Sequence, residues 1–382
     1  MRHFFILCLC LYIFACSKNN SELVDILSKT ATIQFPLDSV TNITPYFSQI
    51  YEDKGQEYLY YANKEAYTIQ IYNLASKKLE KTIKLNRSGP NQISSYRGFV
   101  IKNADSLYIV GSSAYTLYLI NDKADVLRKY TWASDEIIAN SELSNIGIMQ
   151  VHGNSYAIIK KDTLFVLAAP DLNPHKANFY TKGNVGQWVD LKTGKVGFVL
   201  NFPQIYCQKN YSYLFGHYYL TSNEKQELVY SFSGSDSLYI SKMGSWSFLN
   251  NMFAKSNNIA SIESLPSPLG SVTSDEQFYK FMQSKPQYAG VWYDNYRKVY
   301  YRVALHEDDT IKNAWSAQPF SIIVLDSNFK KIGETKFPAK KYHYLGIMVG
   351  KEGLYLPLGN ANNEEIDEEN LAYDIFKLNE TK

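Results

Sequence analysis

Cys16 has the chemistry best defined by its neighbours. It ends Ile13-Phe14-Ala15-Cys16. That run has lipobox spacing: a branched aliphatic residue three places before the cysteine and a small one just before it. A small residue fits the narrow site of the signal peptidase, and the thiol is the nucleophile that takes a diacylglyceryl group. Phe14 is bulkier than usual for its place. Arg2 and an apolar run that starts at Phe4 lead into Cys16, the layout of a secretory signal. The run falls short of the ~20 apolar residues a membrane-spanning helix needs. Polar Ser17-Lys18-Asn19-Asn20-Ser21 begins right after Cys16, where an ordinary signal peptide would not need to stop. The expectation is a signal peptide over 1–15, a lipidated polar tether over 16–29 and a folded domain over 30–382. One acyl chain holds a membrane only marginally, whereas two or more hold it stably.

The remaining reactive types are sparse. With Cys8 and Cys10 removed and Cys16 lipidated, Cys207 is the last thiol. No disulfide can then form within the domain, and Cys207 reads as a small buried hydrophobe. His217 lies in Phe215-Gly216-His217-Tyr218-Tyr219, and His343 in Tyr342-His343-Tyr344. As ligand-binding candidates they would face a common channel; as ordinary strand residues they would sit in an aromatic wall. Two histidines without a carboxylate pattern do not define a metal site. His306-Glu307-Asp308-Asp309 and the acidic stretch 364–369 are rich in oxygen ligands. Asn360, Asn362 and Glu364 alternate, but no glycine follows in the register of a calcium loop. Asn91 and Arg97 flank the turn set by Gly89-Pro90. An arginine there could hold a ligand carboxylate, or the turn could be purely architectural. Trp188, Trp246, Trp292 and Trp315 offer stacking platforms for sugars or packing between sheets. The signatures of serine hydrolases, zinc proteases, P-loops and dinucleotide sites are absent, and no metal or cofactor is expected.

These residues need elements to position them. The chain has 32 Tyr and 20 Phe, and aromatic enrichment marks strands. Thr68-Ile69-Gln70-Ile71-Tyr72 alternates cleanly, as do segments near Leu107–Val110, Leu117–Ile120, Leu164–Leu167, Leu238–Ile240, Val299–Val303 and Ile322–Leu325. A longer repeat underlies them. Strands ending in Asn or Asp, followed by a short turn and a basic-apolar strand, recur at Asn73, Asn121, Asp190 and Asp326. Asp-Ser-Leu-Tyr-Ile occurs at Asp105 and again at Asp236. A four-strand unit of roughly 45 residues is a propeller blade. The expected blades are 47–85, 97–132, 148–203, 212–250, 286–338 and 342–379. The last lacks a fourth strand, which Ala31–Pro36 would supply, removing an open edge. The fold expected is therefore all-β, a six-bladed β-propeller closed by an N-terminal strand. A seven-bladed ring, or a sandwich with an appendage, also fits the spacing. Residues 251–285 read as an insertion with a short helix, opened by a capping box at Ser274 and Gln277.

The lipobox, the Asp-Ser-Leu-Tyr-Ile strands and Ser88-Gly89-Pro90-Asn91 together resemble uncharacterised Bacteroidetes lipoproteins with TolB-like six-bladed propellers. Members often carry an acidic residue before Gly-Pro-Asn, where this chain has Arg87-Ser88. The resemblance spans nearly the whole mature chain. It implies fold and location and brings no activity or catalytic residue with it.

Removing the signal takes the formal charge from +2 to +1. Interspersed signs at that balance argue against nucleic acid as a partner. Two function classes remain. One is a membrane-anchored envelope module, on the outer membrane, that binds or scaffolds a protein or glycan. The other is a propeller hydrolase or lyase acting on an extracellular glycan or lactone. Absent catalytic motifs favour the first. The anchor has a direct test: Cys16→Ala should abolish palmitate labelling and release the protein from membranes. Labelling that persists would remove the lipobox assignment.

Overall fold

The structure is a computed structural model. It describes residues 25–44, 47–111, 115–132, 147–151, 157–173, 176–211, 218–271, 274, 276, 281, 284–308, 317–363 and 366–379. The chain opens with β1 (Leu27–Pro36), which waits for its partner at the far end. Blade 1 is β2 (Ser48–Asp53), β3 (Gln56–Asn63), β4 (Thr68–Asn73) and β5 (Leu79–Lys84). Blade 2 is β6 (Tyr96–Asn103), β7 (Ser106–Gly111), β8 (Thr116–Asn121) and β9 (Val126–Thr131). Blade 3 holds β10 (Gly147–Gln150), β11 (Ile158–Lys160), β12 (Thr163–Pro170), β13 (Asn184–Asp190) and β14 (Val196–Asn201). Its inner strand is broken, since β10 and β11 both pair with β12.

Blade 4 is β15 (Tyr218–Ser222), β16 (Glu227–Phe232), β17 (Ser237–Lys242) and β18 (Asn250–Phe253). Blade 5 is β19 (Gln287–Asp294), β20 (Val299–Leu305), β21 (Phe320–Asp326) and β22 (Lys331–Phe337). Blade 6 is β23 (Met348–Gly350), β24 (Gly353–Pro357), β25 (Asn370–Leu378) and, outermost, β1. The ring has six blades, within a residue or a few of the expected boundaries at most ends. Two short helices not foreseen in the sequence are α1 (Ala177–Lys182) and α2 (Gln204–Gln208).

Burial follows the stacking of blades. Every residue of β4 is buried, because blades pack against both of its faces. The outer strand β5 is mostly exposed. The apolar-polar alternation of β4 therefore does not mark one wet face. Its polar Gln70 is buried and satisfied instead. The Gln70 amide donates to Asp38 at 3.1 Å and to Thr41 at 3.1 Å, and Tyr72 donates to Gln70 at 3.1 Å. The loop after β1 thus straps blade 1.

Ring closure starts earlier than expected. β1 begins at Leu27, not Ala31, and Ile26 is already buried. The strand runs antiparallel to β25 over nine residue pairs, Leu27↔Leu378 to Pro36↔Asn370. Ile26 lies on Gly333 of blade 5, where a Cβ would sit 2.7 Å from the isoleucine. The Leu27 amide donates to Thr335 of the same blade at 3.0 Å. Ile26 and Leu27, inside the stretch expected as tether, are packed into the domain. On β25 the fully buried Asp374 accepts from Thr32 (2.6 Å) and Tyr342 (2.8 Å) and pairs with Lys29 (2.8 Å). Burial pushes its pKa up, but these partners outweigh burial and hold the carboxyl below its ordinary value.

Two networks lock blade 5 to its surroundings. Arg302 on β20 is fully buried. It donates to Ser231 (3.0 Å) and to the carbonyls of Ser235 (2.6 Å), Asp236 (3.1 Å) and Ala254 (2.9 Å). Its guanidinium lies 3.5 Å from the centroid of Tyr288, a cation–π contact. Burial lowers its pKa to about 10, so it stays charged. Glu334 on β22 accepts from Ser256 (2.5 Å), Asn257 (3.0 Å), Asn258 (2.8 Å), Lys331 (2.5 Å) and Ser321. Burial opposes its charge, yet these donors hold its pKa at about 2. Both networks grip the root of the insertion.

That insertion starts after Phe253 rather than at 251, since β18 is longer than expected. It crosses toward blade 3, where the Leu265 amide donates to the Asn210 carbonyl at 2.7 Å. Glu276, Phe281 and Ser284 are helical, as expected, while Gln277 of the capping box lies outside the described residues.

Asp374→Ala should cost about 2–4 kcal/mol in urea unfolding, because Tyr342 loses its buried acceptor. A depressed folded-state pKa contributes fully above the unfolded value of about 4 and fades as pH falls through the folded one. The gap between wild type and variant should therefore hold from about pH 7 to 5 and shrink below about pH 4. A gap that stays constant in acid would contradict this role.

Candidate functional site

In each blade the first strand lines the channel, so the turns from first to second strand gather at one mouth. The links between blades and the connections from second to third strand gather at the other. The first set is tight: 54–55, 104–105, 161–162, 223–226, 295–298 and 351–352. The second set includes 37–47, 85–95, 132–146, 306–319, 358–369 and the insertion at 254–286. One mouth is thus built of short turns, whereas the other combines short turns such as 64–67 and 233–236 with the longest connections of the ring.

Side chains knit part of the turn mouth together. Tyr296 of blade 5 donates to Glu52 (3.0 Å) and Glu57 (3.2 Å) of blade 1. Lys351 of blade 6 pairs with Glu52 at 3.0 Å, and its amide donates to Glu57 at 2.9 Å. Arg297 donates to the carbonyls of Gly350 (3.2 Å) and Lys351 (2.5 Å). Burial raises the pKa of Glu57 despite these donors.

The sequence candidates scatter around the loop mouth. His343 is buried before β23, its ring stacked on Tyr344 at 6.3 Å and 15°. Its Nδ1 has no hydrogen-bond partner. Burial pushes its pKa down to about 4, so the ring is neutral at ordinary pH. His343 is therefore part of an aromatic wall, not an open ligand group. His217, which would complete the pair, lies outside the described residues, as do His152, His175, Glu364 and Trp315. Asn91 is committed to architecture. Its amide donates to Asp125 at 3.0 Å, and its oxygen accepts from the Val126 amide at 3.0 Å. It seals the outer seam between blades 1 and 2.

Arg97 has company that the sequence did not reveal. It is half-buried at the start of β6, and its charge acts on the Tyr115 hydroxyl. Tyr115 donates to Asp171 at 2.7 Å. Blade 2 and blade 3 thus bring a guanidinium, a phenol and a carboxylate together at the loop mouth. No spacing signal could have joined residues 97, 115 and 171; only the ring does. His306 Nε2 lies 3.0 Å from Ser321 Oγ, and burial lowers its pKa. Asn360 spends its amide on the Tyr342 carbonyl at 3.0 Å. Among the described residues, no group of three or more His, Cys, Asp or Glu is placed to hold a metal ion. Cys207 is half-buried rather than buried; its thiol donates to the Tyr180 carbonyl at 3.6 Å, and burial raises its pKa.

The tryptophans divide by role. Trp292 is in the core. Trp188 and Trp246 stack at 6.4 Å and 12°, and Trp246 also covers Phe165 at 5.4 Å and 18°. Trp246 borders a cleft of about 490 Å³ at the outer seam of blades 3 and 4.

A family model for DUF4221, a domain of unknown function, matches residues 22–336. The chain belongs to the DUF4221 family. A crystal structure of a DUF4221 member from Bacteroides vulgatus superposes with a TM-score of 0.80 at 27% identity, covering 92% of this chain and 98% of that one. A Bacteroides fragilis protein assigned as exported superposes with a TM-score of 0.52 at 12% identity, covering 94% and 97%. It shares the fold. Among curated proteins, none matches the sequence. The DUF4221 assignment and the six blades bear out the expected family and fold. No helix among the described residues is long and apolar enough to cross a membrane.

Proposed function

We propose that this DUF4221 protein is a lipid-anchored module of the cell envelope, on the outer membrane, that binds a protein or glycan at its loop mouth. The asymmetry of the two mouths carries the reading. Tight, cross-linked turns at one end leave recognition to the long loops at the other, and loops on a rigid scaffold are where binding residues concentrate. Arg302, Glu334 and Asp374, buried on the second, fourth and third strands of their blades, serve as clamps: each spends its hydrogen bonds on holding the blades or the insertion. That favours binding over turnover. The lipobox at Cys16 supplies the anchor, and the fold relative assigned as exported is in keeping with it.

Site-specific photo-crosslinking in intact cells tests the reading. A photoreactive residue at exposed Val40, Lys340 or Ala361 reports on the loop mouth, and one at exposed Lys54, Asp105 or Lys161 reports on the turn mouth. Adducts should form from the loop positions and not from the turn positions. Adducts from the turn mouth alone, or from neither, would overturn it.

A further inference from the structure

Each outer seam sets the end of one blade against the outer hairpin of the next, and most seams are filled by the chain itself. Between blades 1 and 2, Asn91 bonds the hairpin at 122–125. Between blades 2 and 3, Arg128 donates to the carbonyls of Leu191 (2.9 Å) and Lys192 (2.7 Å), and Tyr130 to Leu191 (2.8 Å). Between blades 4 and 5 a cleft of about 520 Å³ remains, but its Lys331 and Ser256 are held by Glu334. The seam between blades 3 and 4 is different. Its hairpin, 243–249, is the longest of the outer set and carries Trp246 at φ 49° after Gly244 at φ 96°. A tryptophan in the left-handed region is a costly backbone state that the surroundings must impose. Here Phe165 and Trp188 stack under the indole and hold it.

The lining is chemically uniform. Asn201 in the lining spends its amide on the Gly183 carbonyl at 3.3 Å; Trp246, Phe248 and Tyr239 supply aromatic surface, and Gln204, Asn250 and Asn251 supply primary amides. Within the described residues none of these three amides makes a side-chain hydrogen bond, and no Lys, Arg, Asp, Glu or His lines the cleft. A charged ligand finds no counter-charge there. A purely apolar one leaves three amides without partners. A neutral polyol matches both parts: its hydroxyls pair with amides, which donate and accept, and its C–H faces bury apolar surface on aromatic rings. A few hundred Å³ is the size of a small-molecule site.

We infer that this cleft binds a neutral oligosaccharide. The cleft is a second site, apart from the loop mouth of the proposed function, and the inference stands on its own lining. The experiment is calorimetry and tryptophan fluorescence on the detergent-solubilised full chain, with maltohexaose, cellohexaose, xylohexaose and mannohexaose as probes and a heparin hexasaccharide as the anionic control. At least one neutral probe should bind and quench fluorescence, with affinity insensitive to about 0.5 M salt. Asn250→Ala with Asn251→Ala, both at exposed positions, should weaken that probe about tenfold or more, and Trp246→Ala should abolish binding. Unchanged thermal midpoints in the amide variant keep the result separate from misfolding. Failure of all four neutral probes, a salt-sensitive preference for heparin, or binding that ignores the amide variant would overturn it. Loop-mouth crosslinks that persist in that case would leave the module reading standing.

Discussion

The pairing of β1 with β25 is the contact on which the remaining architecture depends. A propeller is a ring of sheets, each of which can bury its faces only against neighbours, so the ring must close to have a complete core. Nine residue pairs join the first strand of the domain to the last. Asp374 fixes them laterally through Thr32, Lys29 and Tyr342. Ile26 on Gly333 and Leu27 on Thr335 extend the closure into blade 5. Closure is therefore a joint among blades 5, 6 and the N-terminal segment, not a single added strand.

With the ring closed, polar groups that would be expensive to bury become fasteners. Arg302 reaches three carbonyls from blade 4 and the insertion root, and Glu334 gathers five donors from blade 5 and the insertion. Breaking such a network by removing one member leaves the rest unpaired in a low-dielectric interior. The insertion is thus anchored at its start while it crosses the loop face. The same logic, with Tyr296, Glu52 and Lys351, cross-links the turn mouth. Rigid seams, a turn mouth cross-linked across blades 5, 6 and 1 and the longest connections at the other end belong to one design, and an open, uncharged seam at Trp246 stands out against it.

Much of this was legible in the sequence because blade physics is periodic. The strand-turn-strand copies at Asn73, Asn121, Asp190 and Asp326 all fall at outer hairpins. The missing fourth strand of the last blade pointed to the N-terminus. What was not legible depended on partners distant in sequence. The alternation over Thr68–Tyr72 gave no sign that Gln70 is buried, because its partners Asp38 and Thr41 are in a loop some thirty residues away. Arg302 in a strand gave no sign that carbonyls around residues 235 and 254 await it. Asn91 was read beside Arg97, yet its hydrogen bonds go to residues 125 and 126. His343 carried a functional residue type into a place where burial makes it neutral. The Arg97–Tyr115–Asp171 grouping and the cleft at Trp246 arise where two blades meet, and no local pattern encodes a meeting.

Hydrogen exchange of the backbone amides in β1 tests the closure most directly. If the ring is one cooperative unit, the amides of residues 31–35 that face β25 exchange only through global unfolding, at the rate of the core strands β4 and β20. Exchange of β1 well ahead of those strands, with the six blades otherwise protected, would show that the N-terminal strand is an accessory and that the fold does not depend on it.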